Sequence, residues 1–206
     1  MYCIATMSKL IKIHNEHKQK YIKTREIERE FGDGNFKRFD YFIKNTTVNG
    51  LDYALELVAF HGRCDLAKKI IATEMDISGS IFKSIITAVN QNHYEVTEVL
   101  LETLVKMKLQ HKSKNYTTIK ADAFDSALKT AVENDNFALA KLLVDYGANI
   151  NQNNNFLIIL AANTSNLDII KLLSTDKIDK NTLSIAIECA KKVNNSDILE
   201  YLNSLQ

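Results

Sequence analysis

The sequence predicts an all-α solenoid, in which short antiparallel helix pairs stack side by side. Three observations predict it: a motif recurs about every 30 residues, apolar residues inside each copy have helical spacing, and a small residue pair precedes each turn. The clearest copies are TAVENDNFALAKLLVDYGANIN at 130–151 and LAANTSNLDIIKLLSTDKIDKN at 160–181. Such units bury their apolar faces only against their neighbours, so we expect about six of them to form one continuous stack.

The length and composition set the protein class. Among 206 residues, 46% are hydrophobic and 25% are charged, which excludes disorder of the whole chain. The 26 basic and 25 acidic side chains nearly cancel, so total charge gives no reason to expect nucleic acid or a membrane as the partner. The partner must therefore be inferred from local features.

Cysteine use and hydropathy predict a soluble intracellular protein, with the cytoplasm as its location. Cys3, Cys64 and Cys189 are odd in number and far apart, which favours a reducing compartment over a disulfide framework. No segment has the length of a membrane span, and the first 18 residues carry charges where a signal peptide is apolar. The absence of proline and the frequent Lys, Asn and Ile are typical of AT-rich coding DNA and suggest a viral or intracellular-pathogen source.

The turn residue of each copy sets the period. Successive turn residues are 28 to 30 positions apart, except for one interval of 43 that we attribute to an insertion of roughly 13 residues within 103–120. The remaining copies lie at 57–72, 87–102 and 189–204, with a degenerate one at 29–45. The six turn residues are Gly34, Gly62, Asn92, Asp135, Ser165 and Asn194.

Each copy is predicted to be a helix, a tight turn and a second helix. Phe137, Leu139 and Leu142 have the spacing of one face of the second helix. The small pair before the turn, such as Ala131–Val132, permits close approach of the first helices. Gly147 is predicted to adopt the left-handed conformation that ends a second helix.

The segment Asn136–Asn151 resembles the second helix and exit of an ankyrin repeat, and the copies with a similar pattern together cover about 24–206. The Thr-Pro-Leu-His opening of that family is absent, and its position reads Ser126-Ala127-Leu128-Lys129. The departure implies first helices without their usual start and short, irregular loops between units. Lys69 takes a position that is apolar in most other copies, which predicts that its helix is rotated or locally frayed.

Residues 1–23 have apolar residues at helical spacing, among them Ile4, Met7 and Leu10, with lysines between them. We predict an amphipathic helix that caps the apolar end of the first repeat, because solenoid ends need covering. The alternatives are a helix that binds a partner or a membrane surface, or one that mediates self-association.

The sequence predicts no enzyme, metal site or cofactor. His14 and His17 share a helix face but lack further ligands, and the His61–Cys64 pair lacks an orienting group. The Gly32–Asn35 loop lacks the third glycine and the strand of a phosphate site. Cys64 and Cys189 are predicted to be small core residues.

The resemblance and the predicted shape instead indicate a protein–protein interaction module, with a concave groove lined by the first helices and loop tips. A pathogen source would make the partner a host factor. We expect a monomer or weak self-association. Phe60 is the strongest predicted contact with the partner, because an exposed aromatic residue lowers the solubility of a protein. The residues after the small pair in four copies are the predicted groove: Phe60, His61, Asn90, Gln91, Glu133, Asn134, Asn163 and Thr164.

The alternative partner is nucleic acid or an acidic surface, contacted through the N-terminal lysines and the basic insertion. The insertion is predicted to lengthen a second helix by two turns and to continue as a flexible loop. Binding of this kind would weaken steeply with salt. The insertion's predicted contacts are Lys106, Lys108, Lys112 and Lys114.

Overall fold

A computed structural model describes residues 28–29, 39–73, 76–77, 80–110, 114–164, 166–174 and 178–205. These residues form eleven helices and no strand. In chain order the helices are α1 Phe39–Asn45, α2 Val48–Phe60, α3 Cys64–Ile71, α4 Ile81–Asn90, α5 Tyr94–Gln110, α6 Lys114–Glu133, α7 Phe137–Asp145, α8 Gln152–Ala162, α9 Leu167–Leu173, α10 Lys180–Lys192 and α11 Ser196–Ser204.

The helices form two layers. In one layer the first helices of successive pairs pack in the order α2, α4, α6, α8 and α10, and in the other the second helices follow as α3, α5, α7, α9 and α11. Each first helix also packs on the second helix of its own pair. One hydrophobic cluster, from Phe39 to Leu202, runs through the whole stack between the layers. The predicted solenoid of helix pairs is confirmed.

The turns inside the pairs lie where the sequence predicted them. Gly62, Asn92, Asp135 and Asn194 have φ between 54° and 68°, the left-handed region that Gly, Asn and Asp tolerate best. The backbone N–H of the residue after each turn residue donates a hydrogen bond to the carbonyl four residues before the turn residue. His93, for example, donates to the Ala88 carbonyl at 2.9 Å. Gly147 has φ of 92°, as predicted for a helix end. Gly34 and Ser165 lie outside the described residues.

Two contacts extend the stack to the degenerate first copy. Phe39 of α1 is buried in the common core, and Asp40 accepts an ion pair from Lys69 of α3 at 2.7 Å, so α1 lies beside the second-helix layer. On the other layer the Tyr53 hydroxyl of α2 donates a hydrogen bond to Glu28. Helix α1 of the copy at 29–45 therefore joins the second-helix layer, and Glu28, just before that copy, contacts the first-helix layer. Residues 1–23, the predicted cap, lie outside the described residues.

The prediction of a rotated or frayed helix at Lys69 is wrong. Helix α3 is regular, and its apolar residues Leu66, Ala67 and Ile70 are buried as in the other second helices. Lys69 stays exposed because its neighbour along the layer is α1, whose Asp40 carboxylate meets the ammonium group. A charged pair replaces the apolar contact at this one interface.

The insertion is divided between two helices. Helix α5 has 17 residues, whereas the other second helices have 7 to 9, so the predicted lengthening by about two turns is confirmed. The predicted flexible loop is wrong for 114–120, because helix α6 already begins at Lys114 and has 20 residues. Leu104 of α5 and Phe124 of α6 are buried in the core that runs through the whole stack.

Three of the first helices begin without a side-chain cap, as the missing motif implied, whereas α10 is capped by Asp179. Thr47, Ser80 and Asn151 precede α2, α4 and α8, and none of their side chains caps its helix. Second helices are better capped: the Asn136 side chain accepts the Leu139 N–H at 3.0 Å, and Asn166 and Asn195 act in the same way. Local capping thus favours the second layer, and the first layer depends more on packing.

One core position carries a polar atom without a partner. The Ser84 hydroxyl is fully buried in α4 and has no hydrogen-bond partner among the described residues. The equivalent positions, eight residues before the turn residue, are Ala54, Ala127 and Ala186, all fully buried. We expect Ser84→Ala to raise the free energy of unfolding by about 1 kcal/mol, because the penalty for an unpaired buried hydroxyl is removed. Urea unfolding measures it, with exposed Ser126→Ala as the matched control; destabilisation by Ser84→Ala would contradict the prediction.

The start of α10 predicts a pH effect. Hydrogen bonds from the Thr182 hydroxyl and backbone N–H lower the pKa of Asp179 below its ordinary value. Since the unfolded chain has the higher pKa, near 3.9, the carboxylate stabilises the fold above that pH and the effect is lost as the pH falls through the folded-state pKa. We expect Asp179→Ala to lower the thermal midpoint at about pH 6 and to have less effect near pH 3.

The matched control is Thr182→Val, which leaves the carboxylate but removes one donor. It should reduce the pH dependence only partly, because the backbone N–H remains. An equal difference between wild type and Asp179→Ala at both pH values would contradict the assignment.

Candidate functional site

The exposed side of the first-helix layer forms a continuous surface, which we call the first-helix face. Its side chains lie nine, six, five and two residues before each turn residue, because these positions point away from the second helices. Helix α6, at its centre, contributes only polar residues at these positions. They are Ser126, Lys129, Thr130 and Glu133.

The predicted groove residues lie at one edge of this face. They end the first helices or occupy the turns after them, so they form a row along the turn edge of the face rather than along the middle of the face. Thr164 is half-buried and the other seven are exposed. The exposed residues are Phe60, His61, Asn90, Gln91, Glu133, Asn134 and Asn163. Their role as contacts stays a prediction.

Several of these residues join neighbouring repeats. The rings of Phe60 and His61 meet edge to face with centroids 5.1 Å apart, and the His93 ring Nε2 lies 3.0 Å from the Phe60 carbonyl oxygen. The Asn134 side chain donates to the Asn90 carbonyl at 3.4 Å. These contacts fix the turn edge across three repeats, so its side chains are presented by a braced backbone.

Other members of the set have their polar groups engaged locally. The Asn163 amide donates to the Ile159 carbonyl at 3.1 Å, and the Thr164 hydroxyl donates to the Ala161 carbonyl at 2.8 Å. Both bonds cap the end of α8. These two residues therefore have a structural role, whereas the Phe60 ring keeps 49% of its surface exposed.

The sequence reasoning missed a second exposed apolar region on the face. Phe156 of α8 and Ile185 of α10 are 41% and 38% exposed and take equivalent positions, nine residues before their turn residues. Val193, in the turn after α10, is 39% exposed. Because α8 and α10 pack on each other, these side chains share one part of the surface. The same register that located the small pair would have found them.

The charges on the face differ between its two ends. Lys83 pairs with Glu56 at 2.7 Å and Lys129 with Glu133 at 3.5 Å, so these two lysines of the face have acidic partners. On α10, Lys180, Lys191 and Lys192 are exposed and form no ion pair within the described part of the chain. Of these three lysines only Lys192 occupies a position of the face, and exposed Glu188 lies on the same face four residues before it.

Tyrosine ionisation is suppressed at two places. Burial, the hydrogen bond to Glu28 and the nearby carboxylates raise the pKa of Tyr53 to about 12. Burial also raises the pKa of Tyr146, with Glu102 and Glu98 of α5 adding to the effect. Both hydroxyls stay protonated at neutral pH and act only as hydrogen-bonding groups.

The basic insertion is only partly described. Lys106 is exposed on α5 without an ion pair among the described residues, and Lys108 and Lys114 belong to the backbone of α5 and α6. Lys112 lies outside the described residues. The structure therefore places Lys106 and Lys108 on α5 and Lys114 on α6.

The residues considered for chemistry have structural surroundings. Cys64 and Cys189 are half-buried against the core rather than inside it, and the Cys64 thiol lies 3.8 Å from the Glu95 carbonyl oxygen. No group of three or more His, Cys, Asp or Glu side chains suited to a metal occurs in the described ranges. His14, His17 and the Gly32–Asn35 loop lie outside them. None of the helices described is both long and apolar enough to cross a membrane.

Comparison with known proteins identifies the repeats. A family model for ankyrin repeats, in three copies, matches residues 85–184, which run from α4 into α10. No curated protein matches the chain. Ankyrin repeats are generally protein–protein interaction modules and typically serve as non-enzymatic scaffolds. Residues 85–184 are thus identified as ankyrin repeats, and stacked helix pairs continue their register on both sides.

Proposed function

We propose that the protein is a non-enzymatic binding module that holds a protein partner on its first-helix face. The supporting observation is that four exposed apolar side chains, those of Phe60, Phe156, Ile185 and Val193, lie on this face or at its turn edge. The other exposed large apolar residues of the described ranges, Tyr41, Tyr94, Val105 and Leu205, are spread over three elements of the second-helix layer. Exposed aromatic and aliphatic groups of this kind are typical of contact surfaces, because they lower the solubility of a protein unless a partner covers them.

The stack supports such a role because it presents these side chains on a rigid backbone. The first helices pack side by side, and the contacts of His93 and Asn134 join successive turns. A preorganised surface loses little conformational entropy when it binds. The predicted groove residues would form one edge of the contact, with Phe60 as its anchor.

The test is a quantitative capture of proteins from a eukaryotic cell lysate by the full chain. The face variant combines Phe60→Ala, Asn90→Ala and Glu133→Ala. Its matched control combines Lys68→Ala, Glu102→Ala and Glu200→Ala, which are exposed on the second helices. We expect the face variant to lose at least tenfold of a captured protein that the control retains. Equal loss with both triple variants, or no loss with either, would contradict the proposal.

The alternative partner, nucleic acid or an acidic surface, is examined by the same capture. Lys106 is exposed and unpaired in the described part of the chain, which gives this alternative one observation in its favour. A variant with Gln at 106, 108, 112 and 114 leaves the face intact. Capture that disappears with this variant and with added salt, but survives the face variant, would favour the alternative.

A further inference from the structure

We propose that the end of the first-helix face formed by α8 and α10 packs against the same end of a second copy of this chain. The inference goes beyond the proposed function, because it assigns this end to self-association and leaves the Phe60 end to a different protein. The region, which we call the α8–α10 patch, has six apolar side chains, three exposed and three half-buried: Phe156, Ile159, Leu160, Ile185, Cys189 and Val193.

The apolar character of the patch comes from two adjacent helices. Helix α8, with the sequence QNNNFLIILAA, contains no charged residue. Its neighbour α10 places Ile185 and Cys189 at the positions equivalent to Phe156 and Leu160. Helix α6, the next along the layer, has only polar residues at its face positions. The apolar surface is therefore confined to α8 and α10, where it stays exposed unless another surface covers it.

The two charged side chains of α10 that occupy face positions have opposite signs. They are Glu188 and Lys192, one turn apart, and both are exposed. Neither forms an ion pair within the described ranges, although Lys129 and Glu133 of α6, with the same spacing, do so at 3.5 Å. The patch therefore has no net charge and offers no advantage to a ligand of a single charge sign. A surface that carries both signs is instead complementary to a copy of itself when the two are related by a two-fold axis.

The order of residues along α10 specifies how a second copy fits. Its face side carries Ile185, Glu188, Cys189, Lys192 and Val193, the spacing of one side of a helix. Ile185 and Val193 are equally far from Cys189, four residues before it and four after it. If two α10 helices pack antiparallel about a two-fold axis at Cys189, each Ile185 faces Val193 of the other copy. Each Glu188 then lies about 3 Å along the helix axis from Lys192 of the other copy, within reach of its ammonium group.

Helix α8 fits the same axis. Its face positions are in register with those of α10, so an axis at Cys189 also brings Leu160 against Leu160 of the other copy. Glu188 lies on the flank of α10 away from α8, beside exposed Ser184 and Lys191. The contact thus has an apolar centre and charged pairs at its outer rim, as protein interfaces commonly have. An isologous contact of this kind closes at two copies.

The experiment is sedimentation equilibrium of the full chain over a wide range of protein concentration, with five variants compared with wild type. The patch variant is Phe156→Ala/Ile185→Ala. The single reversals are Glu188→Lys and Lys192→Glu, and the double reversal combines them. Phe60→Ala is the distant control. Circular dichroism melting checks that each variant folds, and the reversals change only exposed side chains.

We expect wild type to form a dimer. The patch variant and each single reversal should raise the dimer dissociation constant at least tenfold, since a single reversal places like charges across the axis. The double reversal should return the constant to within threefold of wild type, because each pair forms again with its signs exchanged. Phe60→Ala should leave it within twofold. A monomer at every concentration, or a double reversal no better than the single ones, would overturn the inference.

A second measurement locates the axis. With Cys3→Ser and Cys64→Ser the chain keeps Cys189 as its one thiol, and the oxidant diamide should join two copies through a disulfide between these thiols. Adding the patch variant to this background should reduce the yield of covalent dimer at the same protein concentration. Equal yields would mean that random collisions form the bond, which would contradict an axis at Cys189.

The outcomes separate this inference from the proposed function. A monomeric chain whose lysate capture is lost with the face variant would overturn the inference and leave the proposed function standing. A dimer that responds to the charge reversals as expected, in a chain whose capture neither triple variant changes, would support the inference and contradict the proposed function.

Discussion

Phe124→Ala should lower the free energy of unfolding by about 3–5 kcal/mol, the largest effect of any substitution considered. Phe124 is 1% exposed in α6, the central first helix, which packs on α4, α7 and α8. Removing the ring leaves a cavity between repeats that cannot collapse without separating their helices. Urea unfolding, followed by circular dichroism and by tyrosine fluorescence since the chain has no Trp, measures the loss.

Phe39→Ala is the matched control, because Phe39 is also 1% exposed but lies in α1 at the end of the stack. In a solenoid each repeat is stabilised mainly by its neighbours, so an end position should unfold locally. We expect Phe39→Ala to leave the main transition nearly unchanged and to add an early one. Equal shifts of the main transition by both variants would show that the stack unfolds as one unit and would contradict this expectation.

Gly62→Ala should destabilise the protein by about 2–4 kcal/mol through two separate causes. Gly62 has φ of 68°, and a Cβ atom there would lie 2.5 Å from Nδ1 of the His93 ring. The left-handed backbone accounts for about 1 kcal/mol of the cost, and the overlap with the ring accounts for the rest. Thermal and urea unfolding give the difference.

Gly147→Ala separates the two causes. Gly147 has φ of 92°, but no atom lies within 4 Å of the position its Cβ would take, so only the backbone cost of about 1 kcal/mol should appear. In the double variant Gly62→Ala/His93→Ala the overlap is relieved, and its loss should be at least about 1 kcal/mol smaller than the sum of the single losses. Additive losses would contradict a direct clash between Gly62 and His93.

The turns and helix pairs could be predicted because their causes are local. A small pair, a turn residue and apolar residues at helical spacing all lie within one copy, and Asn92, Asp135 and Asn194 lie in turns as predicted. Residues 1–23 have apolar residues at helical spacing, and Gly34 is a predicted turn residue, but both lie outside the described residues. The predictions made for them stay predictions.

The errors arose where a contact joins segments far apart in sequence. Lys69 suggested a disturbed helix, but Asp40, 29 residues earlier, provides its partner. The insertion suggested a loop, but Lys114 begins a helix whose later residue Phe124 is buried. Neither partner can be assigned from spacing within a copy.

By itself, the sequence determined the repeat, its helix pairs, the places of its turns and the family that its repeats resemble. Only the tertiary structure decided which positions of the first helices stay exposed and which lysines lack a partner. Exposure and ion pairing depend on the neighbouring repeat, about 30 residues away, and on how its helix packs. Phe156, Ile185 and Lys192 therefore emerged as a candidate contact region only once α8 and α10 were side by side.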